Sequence, residues 1–359
     1  MKIAVILPPK FVFDRNKPNS IETVVRTLNE QSSDDVIVIC EEGAATPEVM
    51  NVRRVPRYKW NVLRARHIAK IIAEFQPDFI EVHQHAPSGK SITRKFKNIP
   101  SALYRHNLVK ENDNFFTKLR HERRYSLFSS HIFVSRAARD QFIKAFPKFQ
   151  DCSYVVANPI NFENWYAPIE GRENIISFAG RAAPEKGIQH LVPALVQILT
   201  EHVNWKATLC LGDWQTHEEW ATQVITPLLQ FNDRCRINKN MPLDEVKKVF
   251  RSTKIAVVPS VWKEPFGLVA IEAQAAGAAV ISSGTGGLLE ASGDSALYLD
   301  KVTSDDIHAK LEFLINSEAS RAGLATKGQN FVRLHHDIKI RMNDLQNVRK
   351  KIAGTRHND

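Results

Sequence analysis

Strand-like and helix-like segments alternate along all 359 residues, which predicts an α/β protein built on parallel sheets. Two further observations divide it into two domains. The chain is long enough for two separate cores. Residues 157–173 (A-N-P-I-N-F-E-N-W-Y-A-P-I-E-G-R-E) combine two prolines, a glycine and polar residues, and form the best linker candidate. The first domain is therefore expected over 1–165 and the second over 171–335.

In the first half, strands are expected near 2–7, 35–40, 78–82, 100–105, 131–134 and 153–156. Helices are expected near 20–31, 60–75, 113–128 and 135–146. In segment 60–75, Leu63, His67, Ile68, Ile71, Ile72 and Phe75 share one side at helical spacing, while Arg64, Arg66 and Lys70 lie elsewhere. The second half repeats the pattern, with strands at 174–179, 206–211, 254–258 and 278–282. Its helices are expected at 187–200, 216–230, 242–251, 267–276, 303–316 and 319–334. A last helical stretch, 336–352, is left over after the second sheet.

Composition excludes several classes. Apolar residues make up 43% and charged residues 25%, as in an ordinary globular protein. Cys40, Cys152, Cys210 and Cys235 form no C-x-x-C pair, so neither a zinc framework nor a disulfide scaffold is expected. This usage fits a reducing cytoplasm. M-K-I-A-V-I-L-P-P reads as a first strand rather than a signal peptide, and no apolar run is long enough to span a bilayer.

Charge is unevenly placed. Residues 51–150 hold 21 Lys and Arg against 7 Asp and Glu, a net +14, so the net +10 of the whole chain leaves −4 elsewhere. Lys118, Arg120, Arg123 and Arg124 lie beside Phe115, Phe116 and Tyr125 in this window. Nucleic-acid binding is one reading, but no RRM, KH, zinc-finger or helix-turn-helix signature accompanies it. An anionic membrane surface or a phosphorylated glycolipid is another, with Arg120, Arg123 and Arg124 as contacts. A solvated basic face is the third.

The most informative stretch is an apolar strand, 254–258, followed by P-S-V-W-K-E-P-F-G-L-V-A-I-E-A-Q-A-A-G. Pro265 and Gly267 favour a helix opening at Gly267, Leu268 and Val269, whose free N–H groups suit a diphosphate. Glu272, one turn in, can accept both hydroxyls of a ribose, and Glu264 can reach a sugar hydroxyl. Upstream, I-I-S-F-A-G-R-A-A-P-E-K-G places Arg181 and Lys186 on one strand-to-helix loop, where both can meet one pyrophosphate. Taken alone, either pair reads equally as solvated surface; together they point to a nucleotide-sugar site.

The motifs G-R-x-x-x-E-K-G and P-S-x-x-x-E-P-F-G-L-x-x-x-E resemble those of retaining glycosyltransferases of family 4. Weaker matches run in order through residues 2–7, 77–83, 101–107, 132–136 and 155–160. The resemblance implies a GT-B fold, two Rossmann-like doubly wound parallel-sheet domains facing a cleft, with a C-terminal helix 336–359 crossing back to the first. It also implies a reaction with retention, in which the leaving phosphate helps deprotonate the acceptor. His106, after S-A-L-Y-R, matches the family histidine that approaches the donor sugar. The implied catalytic set is His106, Arg181, Lys186 and Glu264. The donor-binding set is Ser20, Phe266, Gly267, Leu268, Val269, Glu272, Gly286 and Gly287, the last two giving close backbone approach in S-S-G-T-G-G-L-L-E. One departure is Asn19-Ser20, where the family usually has a Gly-Gly pair; both are good helix caps.

No Asp-x-Asp triplet occurs, so no metal and no cofactor are expected. His83 and His85 lack a third ligand at a recognisable spacing and are not read as a metal site. Trp214 is read as an exposed loop aromatic. The expected activity is sugar transfer from a nucleotide-diphosphate sugar to a glycolipid or polysaccharide, as in lipopolysaccharide core, O-antigen or capsule synthesis. The expected location is the inner face of the cytoplasmic membrane, with no nucleic-acid partner. The alternatives are a nucleotide-sugar epimerase of the same fold, or a non-catalytic protein that binds nucleotide-sugar or nucleic acid.

Overall fold

The structure is a computed structural model that describes residues 1–14, 19–43, 50–109 and 114–354, without the Phe115 side chain. The chain forms two compact units, one comprising Met1–Pro159 with the segment from Ile338 on, the other Ile160–Asp337.

In the first unit the strands are β1 (Lys2–Ile6), β2 (Asp35–Glu41), β3 (Asn51–Val55), β4 (Phe79–His83), β5 (Ser101–Arg105), β6 (Ser130–Phe133) and β7 (Ser153–Val155). Its helices are α1 (Ser20–Asn29), α2 (Asn61–Phe75), α3 (Ala86–Lys95), α4 (Phe115–Tyr125) and α5 (Arg136–Ala145). The strands pair in the order β3-β2-β1-β4-β5-β6-β7, all parallel. Buried strands of this kind read as continuous apolar runs, as Ile3 to Leu7 and Val36 to Cys40 do.

The second unit begins with α6 (Phe162–Trp165) and β8 (Ile175–Arg181), followed by α7 (Ile188–Glu201), β9 (Lys206–Gly212), α8 (Glu218–Ile225), β10 (Cys235–Lys239), α9 (Leu243–Ser252) and β11 (Ile255–Val258). It ends with α10 (Leu268–Ala275), β12 (Ala279–Ser282), α11 (Leu288–Ser292), β13 (Leu297–Tyr298), α12 (Ser304–Asn316) and α13 (Glu318–His335). Its sheet repeats the winding, β10-β9-β8-β11-β12-β13, again parallel. In each sheet the winding reverses once, between β1 and β4 and between β8 and β11. Ligands of open α/β sheets bind at the carboxyl ends of the strands at such reversals.

The last helix, α14 (Ile338–Gly354), packs on α1 in the first unit. Arg349 on α14 is fully buried there and pairs with buried Glu81 on β4. It also donates to Asn29 Oδ1 at 2.9 Å. The expected span 336–359 thus begins two residues later, and its final residues, 355–359, lie outside the described ones.

Several elements differ from the expectation. β3, β10, β13, α3 and α11 were not expected; each is a short edge strand, a short helix or a segment of mixed polarity. Segment 216–230 is α8 followed by a 3-10 stretch from Thr226, because Pro227 lacks the N–H that would continue an α-helix. On α2 the buried face is rotated. Arg64 faces inward with Ala65, Ile68, Ala69 and Ile72, while Leu63 is exposed. The reason is polar: Arg64 meets Glu41 at 3.1 Å and donates to the Leu7 carbonyl at 2.8 Å. Trp214 is buried rather than exposed, with Lys239 Nζ 3.9 Å from its ring centre.

Candidate functional site

Two loops of the second unit meet at the winding reversal. One leaves β8 and carries Arg181, Glu185 and Lys186; the other leaves β11 and carries Ser260, Trp262 and Glu264. They are joined backbone to backbone, with Val261 N–H donating to the Glu185 carbonyl at 3.0 Å. Gly187 adopts φ +77°, and a Cβ there would lie 1.9 Å from the Pro259 carbonyl oxygen, so no larger residue permits this approach.

Side chains cross the same junction. Lys186 Nζ lies 2.6 Å from Glu264 Oε1, and Ser260 Oγ donates to the same oxygen at 2.6 Å. Lys186 Nζ also sits 5.4 Å from the Trp262 ring centre. Arg181, about half exposed, is held by Glu185 at 2.6 Å. Glu264 is buried, and its backbone is fixed by the next loop: it bridges Gly286, and Gly287 N–H donates to its carbonyl at 2.7 Å.

The expected close approach at Gly286 and Gly287 is made to the protein itself. A Cβ on Gly286 would meet the Glu264 carbonyl oxygen at 2.3 Å, and one on Gly287 the Pro265 carbonyl oxygen at 2.5 Å. Phe266 is buried with its ring 5.3 Å from that of His336, so its side chain packs the core and leaves only its backbone for a ligand. Gly267, at φ +125°, precedes α10, whose first residues Leu268 and Val269 are half-buried. Glu272 is half-buried on α10 and its carboxyl has no hydrogen-bond partner among the described residues. Burial pushes this carboxyl up to about 7, opposed only in part by Lys247.

The other expected residues lie in the first unit. Ser20 opens α1, capped by Asn19, whose side chain accepts from Glu22 N–H at 2.9 Å. His106 follows β5, buried at 8% exposure, with its Nε2 2.9 Å from Nδ1 of buried His83. Burial lowers both imidazoles, His106 to about 3 and His83 well below its usual value. Spacing alone gave no sign that these two histidines pair, because they end separate strands. On α4, Arg120 and Arg123 are exposed and Arg124 is half-buried; Phe116 is 80% exposed. Tyr125 is not available beside them, being buried against Phe142, Phe146 and His131.

Among the described residues, the group able to offer a metal three ligand atoms within 4.8 Å of one another is Glu201, His308 and Glu312. It sits at the end of α7 remote from these loops, where His308–Glu201 and His202–Glu312 hydrogen bonds already satisfy it. The four cysteines are free, and no described helix is long and apolar enough to cross a membrane.

Comparison with known proteins follows this division. Residues 19–164 match Glycosyltransferase Family 4, and residues 160–331 match Glycosyl transferases group 1. The uncharacterized glycosyltransferase MJ1178 of Methanocaldococcus jannaschii is 29% identical over 280 residues, covering 75% of each chain. Alpha-maltose-1-phosphate synthase of Mycolicibacterium smegmatis is 27% identical over 207 residues, 52% of each. The chain spans about half the length of several curated relatives it matches, 42% to 52% for three of them. Anabaena Alr3699/HepE in complex with UDP superposes with a TM-score of 0.79 at 18% identity, over 100% of both chains. A glycosyltransferase from Rickettsia africae ESF-5 gives 0.80 at 16%, over 98% of each. These likenesses show the fold, which is GT-B with two Rossmann-like parallel-sheet domains.

Proposed function

From a chain that carries a Glycosyltransferase Family 4 domain followed by a Glycosyl transferases group 1 domain, we propose the following activity. The protein transfers a sugar from a nucleotide-diphosphate sugar, with retention and without a metal, to a glycolipid or polysaccharide at an anionic membrane face. The observation that carries this reading is the joining of Lys186 and Glu264, 78 residues apart, at the winding reversal of the second sheet.

Breaking a glycosyl–phosphate bond loads negative charge on the leaving diphosphate. Arg181, Lys186 and the N–H groups at the start of α10 supply preorganised positive potential for it. Glu264, steadied by Ser260 and by the Gly286 bridge, presents its carboxylate to a sugar hydroxyl. Glu272, without a protein partner, accepts from the ribose diol. With these groups stabilising the leaving phosphate, that phosphate takes the acceptor proton on the face it leaves. The UDP held by Alr3699/HepE supports a nucleotide-sugar donor, and the lack of an Asp-x-Asp triplet supports metal independence.

The acceptor side rests on the first unit. Helices α2, α3 and α4 pack side by side. They bring exposed Arg66, Lys70, Lys90, Arg94, Arg120 and Arg123 together with exposed Trp60, Val62 and Phe116. Cations mixed with apolar side chains fit an anionic lipid surface, each cation contributing about 1 kcal/mol. This patch supports the reading of a lipid-borne acceptor, as in lipopolysaccharide or capsule synthesis, at the inner face of the cytoplasmic membrane.

A thermal-shift panel of nucleotide-sugars tests the donor. One ligand should stabilise the protein, by about 2.7 kcal/mol at 100 times its dissociation constant, and no shift with any of them would sink the reading. Vesicles of phosphatidylglycerol test the surface. Binding should be strong at low salt, weak in about 0.5 M salt where charge is screened within about 3–8 Å, and reduced by reversing Arg120, Arg123 and Arg124 to Glu. Indifference to anionic vesicles at low salt would remove the membrane.

A further inference from the structure

His83 ends β4, beside the winding reversal of the first sheet, and His106 follows the neighbouring β5; their geometry fixes more than proximity. Their rings are within 23° of parallel with centres 5.1 Å apart, meeting edge to edge, and Tyr104 lies nearly parallel to each at 4.8 and 4.9 Å. The Tyr104 hydroxyl is committed to the Val156 carbonyl at 3.2 Å, so it offers neither ring a proton. Gln84 Oε1 accepts from the His106 backbone N–H at 2.8 Å and pins the chain there. One proton lies between His83 Nδ1 and His106 Nε2, 2.9 Å apart.

Both rings are held neutral by burial, so two arrangements remain. In one, His106 Nε2–H donates to His83 Nδ1. His83 then carries its own proton on Nε2, which is buried and has no hydrogen-bond partner among the described residues. An orphaned N–H in the interior is the rarer and costlier defect. It would also share its side of β4 with the Arg349 guanidinium, because Glu81, which binds Arg349, is two residues from His83 on the strand. In the other arrangement His83 Nδ1–H donates and His83 Nε2 is a bare lone pair, which a nearby cation favours. The proton of His106 is then on Nδ1, the ring nitrogen left with solvent access and no protein partner among the described residues.

We propose that His83 is a positioning residue that locks His106 in its Nδ1–H tautomer, so that His106 meets a ligand only as a hydrogen-bond donor to an oxygen. His106 then cannot act as a general base: one nitrogen is occupied by His83 and the other already holds its proton. This rests on the proposed transferase activity and on the resemblance that matches His106 to a histidine approaching the donor sugar. It explains how a site histidine can serve a reaction whose acceptor proton goes to the leaving phosphate.

Nitrogen-15 NMR of histidine-labelled protein at pH 7, without ligand, decides the tautomer; His106→Phe and His83→Phe assign the signals. Wild type should show His106 protonated on Nδ1 and bare on Nε2. His83→Phe should move it toward the Nε2–H form, and His83→Gln, whose amide can still donate, should keep Nδ1–H. An Nε2–H His106 in wild type overturns the proposal, whatever the variants do. With UDP-glucose as the probe, His83→Phe should lower turnover about tenfold, the loss of one neutral hydrogen bond. UDP affinity should be unchanged, and His83→Gln should restore most of the turnover. Full activity in His106→Ala overturns the ligand role. If wild type neither binds nor turns over any nucleotide-sugar, the proposed function falls, and the spectrum alone then upholds or overturns the tautomer.

Discussion

The two sheets wind alike, yet they use charge differently where their winding reverses. In the second unit, Lys186 and Glu264 are joined across two loops, Arg181 is held by Glu185 on its own loop and Glu272 stays unpaired, so ionic groups lie at the strand ends. In the first unit, the comparable charges are buried in pairs that hold the chain together, Arg64 with Glu41 and Arg349 with Glu81. The strand ends there are left with a neutral histidine pair. On the proposed function the second unit's charges serve binding, whereas those of the first are committed to its own fold.

The largest effect should come from breaking the committed charge. Arg349→Ala leaves Glu81 buried without its cation, at a cost of about 3–5 kcal/mol. Urea unfolding of the full chain should show it as a lowered midpoint, while nucleotide binding by the still-folded protein stays intact. If Arg349→Ala matches wild type within 1 kcal/mol, the contrast between the two sheets fails. Next is Lys186→Ala, which should lower turnover about a hundredfold, roughly 3 kcal/mol of charge stabilisation, at a smaller cost in unfolding than Arg349→Ala because Ser260 still donates to Glu264. A variant that loses stability instead of turnover would place Lys186 on the structural side.

The same contrast explains what the sequence made legible. The second unit's site is built from short loops, so G-R-x-x-x-E-K-G and P-S-x-x-x-E-P-F-G-L-x-x-x-E lie whole in the chain. The alternation that predicted two parallel sheets is likewise local. The first unit's pairs are not: Arg349 and Glu81 are 268 residues apart. No period reveals that Arg64 turns inward to meet Glu41 and the Leu7 carbonyl; apolar spacing placed Ile68 and Ile72 correctly but put Leu63 inside and Arg64 outside. Trp214 failed for a similar reason, since its cover comes from β10, a strand of mixed polarity that alternation does not mark. The glycines were legible as points of close approach, but not in their partner, which is the chain's own backbone.

That partner gives a third, smaller test. Gly286→Ala adds a methyl 2.3 Å from the Glu264 carbonyl oxygen at φ +61°. It should cost about 1–3 kcal/mol of stability. Because the bridge aims Glu264, turnover should fall further than nucleotide affinity, measured by kinetics against calorimetry. Equal losses in both would mean that the loop serves the nucleotide directly.

The smallest expected effect is the pH dependence of donor binding, and it probes Glu272, a carboxyl without a hydrogen-bond partner among the described residues. Burial raises Glu272 to about 7 from a usual value of 4.5. A carboxyl raised on folding binds its proton more tightly in the folded state. Its contribution to stability is therefore full below about 4.5 and is lost as pH rises through about 7. A ribose diol donating two hydrogen bonds favours the ionised form, so binding must first remove that proton at low pH. Affinity for UDP-glucose, whose phosphates do not titrate in this range, should therefore tighten by up to about tenfold between pH 6 and 8, which corresponds to one unit of pKa or about 1.4 kcal/mol. Glu272→Gln, which cannot ionise, should bind about ten times more weakly than wild type at pH 8, with a flat profile. Calorimetry at several pH values, in buffers of different ionisation enthalpy, would also count the proton released on binding. A wild-type profile as flat as that of Glu272→Gln would remove the carboxylate from the ribose and leave Glu272 as a packing residue, making the second unit more like the first.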